Sequence, residues 1–325
     1  MDDYVLAKER IQKWIENNDE SALLDLACLN IEELPELPPN LQNLNCSECE
    51  YLKKLPELPA NLRNFNCSFC EDLEELPELP DSLEILKCSC CINIKQIPKL
   101  PVKIKKLACS YVSIKSLPEL PQSLEILNIS DCFNLVKLPK LPTSLKKLNF
   151  SKCKNLIDLP ELPESLQKLD CSECPIEKLP ELPKSLQILN CYNCPIKELP
   201  KLPESLQILY CCNCQIKELP ELPLSLQKIN CSDCPIESLP KLPLKLQSLV
   251  CSYCPIRALP ELPTLLQILE CAECKNLKEL PELPPKLQML KCTIKKLPNL
   301  PIYLGCLICK NIEALPPILP LSVYI

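Results

Sequence analysis

The stretch Leu186–Ser205, LQILNCYNCPIKELPKLPES, decides how the whole chain reads. Apolar residues stand at its first, fourth, sixth, ninth and eleventh places (Leu186, Leu189, Cys191, Cys194 and Ile196), and it closes on Leu199-Pro200-Lys201-Leu202-Pro203. Toward the N-terminus the same pattern restarts at Leu166, Leu145, Leu124, Ile104, Leu83, Leu62 and Leu41. Toward the C-terminus it restarts at Leu206, Leu226, Leu246, Leu266, Leu287 and Leu304. The spacing is 20 or 21 residues until the last two copies, a shortened copy starts at Leu23, and a truncated one starts at Val323. A chain of 325 residues would ordinarily suggest two domains, but a period of this length makes it one array of small stacked units.

The copies fit L-x-x-L-x-L-x-x-N/C-x-L, so the predicted fold is a leucine-rich-repeat solenoid. Each copy is expected to place a short strand over L-x-x-L-x-C, and the strands to stack as a parallel β-sheet on a concave face. Leu-Pro-x-Leu-Pro cannot be helical, because its prolines remove amide donors and clash with the preceding turn. It is expected to run as polyproline II on the convex face, leucines inward and the middle Glu or Lys in solvent. With 37 Pro and a single glycine, Gly305, the turns are expected to come from proline-fixed segments and not from positive φ. Ahead of the array, Tyr4, Ala7, Ile11, Trp14 and Ile15 fall at helical spacing, with Asp2 and Asp3 placed to cap the start. The domain reading is a helical cap over residues 1–22 and an array over 23–325, about 14–15 repeats of 20–21 residues. The chain stops in mid-repeat at Leu321 to Ile325, which predicts an unsealed end open to self-association or to a covering partner.

Composition removes several functions. Net charge is −6 with Lys and Glu spread along the chain, so no general grip on nucleic acid or anionic membrane is expected. The local clusters Lys103, Lys105 and Lys106, and Lys146, Lys147, Lys152 and Lys154, read as solvated charge. No leader-like segment precedes the repeats and no run of 18 or more apolar residues occurs, so a soluble protein is expected, with secretion by a route without a cleaved signal left open. The thiols add the expectation of a reducing, cytoplasmic location. There is no His, which rules out Cys–His and Ser–His nucleophiles, and one glycine cannot build a phosphate-cradling loop. Lysines and carboxylates are available as bases, yet nothing gathers them into a cleft. The chain therefore reads as neither an enzyme nor a cofactor binder.

The 27 cysteines invite another reading, because nine copies carry a sixth-to-ninth C-x-x-C pair, from Cys46 and Cys49 to Cys271 and Cys274. That spacing suits zinc. However, Ile129 and Phe150 replace Cys at the sixth place and Val112 replaces it at the ninth. A small buried apolar residue tolerates such exchange and a metal ligand does not. The expected state is a reduced, buried, metal-free ladder in a reducing compartment, with layer-bridging metal clusters or disulfides as the alternatives. Cys90, Cys212 and Cys306 fall at non-core places.

Fifteen Leu-Pro-x-Leu-Pro-like elements, from Leu34–Pro38 to Leu315–Pro320, resemble the LPX type of leucine-rich repeat found in bacterial effectors injected by type III secretion. The helix around Trp14 and the entry Leu24-Asp25-Leu26 are similar to the segment that leads into such repeats. The resemblance implies either a ligase with a separate catalytic domain or a repeat-only scaffold, and this chain looks like the second. It departs at the ninth place, where the family's Asn is Cys in eleven of the twelve full copies. Its use of Lys, Asn and Ile is also similar to that of leucine-rich-repeat proteins of giant viruses, and host cytoplasm is an implied location. The function read from these features is a protein–protein interaction scaffold. The alternatives are the substrate-recognition half of a larger LPX-type ubiquitin ligase and a structural virion component. Side chains at the third, fifth, seventh and eighth places should face outward from the sheet, and there Ile188, Tyr192, Ile208, Tyr210, Val250 and Tyr253 form the candidate partner-binding group.

Overall fold

The computed structural model describes residues 2–310 together with 312 and 313. The element Leu315–Pro320, the truncated copy at Val323 and the expected unsealed end lie outside the described residues. The chain divides into two compact units, residues 1–166 and 167–325.

The first unit opens with α1 (Asp3–Asn17), whose N-cap Asp2 accepts the Tyr4 amide at 3.1 Å. Ala7 and Ile11 are its buried residues, while Ile15, expected on the same stripe, is exposed. Polar bonds complete the cover over the first layer. The Arg10 guanidinium donates to the carbonyls of Asp25 and Ala27 at 3.2 Å, and the Trp14 indole N–H donates to Ala22 at 3.0 Å. The strands that follow are β1 (Leu23–Asp25), β2 (Asn43–Asn45), β3 (Asn64–Asn66), β4 (Ile85–Lys87), β5 (Lys106–Ala108), β6 (Ile126–Asn128) and β7 (Lys147–Asn149). Each pairs in parallel with the next.

The second unit repeats the plan in β8 (Lys168–Asp170), β9 (Ile188–Asn190), β10 (Ile208–Tyr210), β11 (Lys228–Asn230), β12 (Ser248–Val250), β13 (Ile268–Cys271), β14 (Met289–Thr293) and β15 (Cys306–Lys310). These too pair in parallel in sequence order, with fourth-place residues in register, as in Leu189↔Leu209 and Leu209↔Ile229. Most strands cover only the third to fifth places, shorter than expected. The core is the predicted one: Leu186, Leu189, Cys191, Cys194 and Ile196 are each 1% exposed or less. The segment after the ninth place carries neither helix nor strand, and buries Leu199 and Leu202 while Lys201 is exposed. It re-enters the next strand through a turn in which the Leu206 amide reaches the Pro203 carbonyl at 3.0 Å.

One expectation fails. The eighth residue of every one of the twelve full repeats is left-handed, with φ between 55° and 61°, although none is glycine. Only Asp131, Asn193, Asn213 and Asp233 are side-chain types that favour this region; the others include Phe69, Tyr111, Lys152 and Tyr253. The conformation disfavours an L-residue by about 1–2 kcal/mol. What offsets it is a hydrogen bond to the next repeat: the eighth amide donates to the seventh carbonyl one layer on, at 2.7 Å from Phe69 to Ser89 and 2.8 Å from Tyr253 to Ala272. Gly305 takes no such place. It stands at the second position of the last described repeat, where an added Cβ would meet only the Gln288 carbonyl oxygen at 3.8 Å.

The turn also gives the ninth cysteine a task beyond filling space. Its thiol donates to the sixth-place carbonyl of the preceding repeat, at 3.1 Å from Cys234 to Cys211 and 3.2 Å from Cys254 to Cys231. The sixth cysteine is chiefly a packed side chain, which is why Ile129 and Phe150 serve there with no exposure. Removing the donor while keeping the backbone leaves a buried carbonyl unmatched, a penalty of about 1–3 kcal/mol. Cys254→Ala is therefore expected to lower the unfolding free energy in urea by about 2 kcal/mol, and Cys251→Ala by about half as much. Equal losses would mean that the ninth thiol only fills volume.

Candidate functional site

On the exposed side of the sheet, the fifth residue sits at the strand end, where the chain turns and the seventh amide needs an acceptor. In seven of the twelve full repeats a fifth-place carboxamide or carboxylate supplies it: Asn45, Asn66, Asn128, Asn149, Asp170, Asn190 and Asn230 accept from the residue two places on. In four repeats the fifth residue does not: Lys87, Ala108 and Val250 have no side-chain acceptor, and the Glu270 carboxylate lies toward Lys291 at 3.8 Å. There the seventh amide turns to a serine hydroxyl one layer earlier, as in Ser252 N–H to Ser232 Oγ at 3.0 Å. The remaining repeat has Tyr210 at the fifth place and Tyr192 at the seventh place one layer earlier, so it carries neither the Asn nor the Ser oxygen, and the Cys212 amide bonds to its own thiol instead. Tyr210 is thus a residue that the fold does not ask for.

The structure brings part of the predicted group together. Ile188 and Ile208 are register partners on β9 and β10, and Tyr210 lies two residues along β10 on the same face. Lys228 and Asn230 of β11 stand between them and Val250 on β12. Tyr192 and Tyr253 lie past the strand ends, 39% and 57% exposed, Tyr253 being one of the left-handed residues. Two residues went unnoticed in the sequence. Leu224 and Leu244, in the turns that enter β11 and β12, are 72% and 73% exposed. The equivalent place holds Gln122, Thr143, Glu164, Lys184 or Glu204 in five other copies, but Val102 and Ile302, also exposed, in two more.

Little else on the surface is arranged for chemistry. Three lysines of the basic clusters pair with carboxylates one layer earlier, Lys105 with Glu84 at 2.6 Å, Lys146 with Glu125 at 2.8 Å and Lys152 with Asp131 at 4.0 Å. Among the described residues no three His, Cys, Asp or Glu side chains converge to hold a metal ion, and no helix is long and apolar enough to cross a membrane. The 27 cysteines are thiols. Burial pushes Cys132 up to about 11 and Cys254 and Cys271 up to about 12, from an ordinary 9.0.

No family model matches the chain, and no curated protein does. Solved structures do. YopM from Yersinia enterocolitica WA-314 is 34% identical with a TM-score of 0.83, the match covering 98% of this chain and 70% of that one. YopM from Yersinia pestis, described as a leucine-rich effector protein, is 30% identical with a TM-score of 0.75, over 94% and 92% of the two chains. The chain belongs to the leucine-rich-repeat proteins of the YopM kind. A further leucine-rich likeness is to InlJ from Listeria monocytogenes, whose functional domain includes a cysteine ladder. There the identity is 23% and the TM-score 0.57, over 75% and 59% of the chains, a likeness of fold.

The thiol ladder of this member makes its stability depend on pH in a set direction. Below pH 9 the upshifted thiols, such as Cys132, Cys254 and Cys271, are protonated in both folded and unfolded chain, and their effect is constant. Above it the unfolded thiols ionise while the folded ones, raised toward 11 and 12, keep their protons, so stability falls as pH rises. The melting temperature is expected to drop from pH 9 upward, with about 1.4 kcal/mol lost per deeply buried, upshifted thiol for each unit beyond 9. A level melting temperature to pH 10 would contradict this.

Proposed function

We propose that the chain is a non-catalytic protein-interaction scaffold of the LPX type, and that its partner docks on the exposed sheet face of the second unit. Ile188, Ile208 and Tyr210 form the centre of this surface, with Tyr192, Val250 and Tyr253 at its margins and Leu224 and Leu244 on the entering turns. The observation that carries the reading is Tyr210, which displaces the fifth-place Asn and leaves the Cys212 amide without the acceptor that the other eleven full repeats supply. The Leu-Pro-x-Leu-Pro elements support the LPX assignment, and an effector role is inferred from the likeness to YopM. So dense a set of thiols suits a reducing compartment such as cytoplasm.

A protein partner fits this surface because aromatic and branched side chains on a short, hydrogen-bonded strand lose little freedom on being covered. Each such anchor can contribute about 2 kcal/mol when enclosed. The exposed Glu181, Lys201 and Glu221 between the Leu-Pro pairs lack that advantage. In affinity capture from a eukaryotic lysate, Tyr210→Ala is expected to weaken recovery at least tenfold with the melting temperature unchanged, while Glu181, Lys201 and Glu221 changed together have little effect. The reverse pattern would move the binding surface to the other side of the repeats.

A further inference from the structure

The last two described strands break the pattern of the array. β14 and β15 are five residues long, where most strands have three, and β14 runs on through the sixth and seventh places without the left-handed turn and ninth cysteine of the full repeats. Their sixth-place cysteines, Cys292 and Cys309, are register partners across the parallel ladder. The ninth thiols elsewhere point at carbonyls one layer back, whereas these two sulfurs approach each other at 3.1 Å. Cys292 is buried and Cys309 is half-buried, so one of the pair faces an approach from solvent.

We propose that Cys292 and Cys309 are a site of reversible oxidation by a peroxide, in which Cys309 is oxidised first and Cys292 then closes a disulfide that clamps β15 to β14. Register partners in a parallel ladder have Cα atoms about 4.8 Å apart, within the roughly 4.4–6.8 Å that a disulfide spans. The sulfurs need to close by about 1 Å to reach the bonded distance of about 2.05 Å. The chemistry balances with the peroxide as oxidant. The Cys309 sulfur attacks one oxygen of hydrogen peroxide; an S–O bond forms, the O–O bond breaks, and the departing hydroxide takes up a proton to become water. The Cys292 sulfur, giving up its proton, attacks the Cys309 sulfur; the S–S bond forms, the S–O bond breaks, and the oxygen leaves as a second water. Two thiols and one peroxide become a disulfide and two waters, and a dithiol reductant reverses the change.

The electrostatics favour this order of events. The contact between the two sulfurs holds Cys309 down to about 7, below the ordinary 9.0, and pushes Cys292 up. A thiolate is the form that peroxide oxidises. The other cysteines within reach of solvent do not share this advantage: Cys28, Cys90 and Cys212 are all shifted upward, first by desolvation.

The test uses the full chain, reduced, exchanged out of reductant and exposed to a small molar excess of hydrogen peroxide. Remaining thiols are then blocked, and the chain is digested and mapped by mass spectrometry. A peptide pair joined through Cys292 and Cys309 is expected to appear before any other cysteine changes mass, and to vanish on treatment with dithiothreitol. In Cys292→Ser, a dimedone adduct is expected on Cys309, because the sulfenic acid has lost its resolving thiol. The proposal is overturned if Cys28, Cys90, Cys212 or Cys306 reacts first, if the linkage found joins two chains, or if Cys309 in Cys292→Ser traps no dimedone.

Discussion

Everything in this protein depends on hydrogen bonds that run from one repeat to the next outside the strands. A three-residue strand pairs too few backbone groups to fix a layer, and the left-handed eighth residue opposes the fold at each repeat. The layer is held because the turn bonds to its neighbours on both sides. The eighth amide reaches forward to the seventh carbonyl of the next repeat, and the ninth thiol reaches back to the sixth carbonyl of the one before. A third bond works on the entering side, where Ser205 Oγ donates to the Leu186 carbonyl at 2.6 Å and Ser225 Oγ to the Leu206 carbonyl at 2.6 Å. Cysteine suits the ninth place because it is at once small, apolar and a weak donor; Ala lacks the donor, and Asn keeps a donor but is polar.

Such bonding makes the repeats their own control for function. A residue that recurs at a place where the fold needs an oxygen, such as Asn190 or Asn230, is explained by the turn it caps. A residue that breaks the recurrence is either matched by a substitute oxygen, as Val250 is by Ser232 Oγ, or leaves the amide only its own thiol, as Tyr210 leaves Cys212. The same comparison marks Leu224 and Leu244 less sharply: they stand nearly bare where Glu164, Lys184 and Glu204 are polar, but Val102 and Ile302 are bare at the same place.

The period, the parallel strands, the capping by Asp2 and the burial of the cysteines were all legible in the sequence, because each rests on apolar spacing or on one residue's own chemistry. The left-handed turn was not. Its residues include Glu48, Phe69 and Lys152, and the bond that stabilises it comes from the next layer's backbone, which carries no letter. The acceptor exchange between Asn and Ser was hidden for a related reason: it joins the fifth place of one copy to the seventh of the copy before, and neither letter alone announces it. Of the candidate group, Ile188, Ile208 and Tyr210 were legible as neighbours because strand register follows from the period. The separation of Val250 by Lys228 and Asn230 was written in the same letters but given too little weight. The Cys292–Cys309 pair stayed out of sight because the spacing slips in the last repeats, which is where the two sulfurs lose their carbonyl partners and meet.

The central claim is that the fold asks for an oxygen at the fifth place and that Tyr210 occupies it for another reason. The melting temperature of Tyr210→Asn tests this directly. Restoring the carboxamide should give the Cys212 amide its acceptor, a gain of about 1 kcal/mol and a rise of about 2–4 °C. A melting temperature equal to or below that of the unaltered chain would contradict the account, since the tyrosine would then be the residue that the repeat itself prefers.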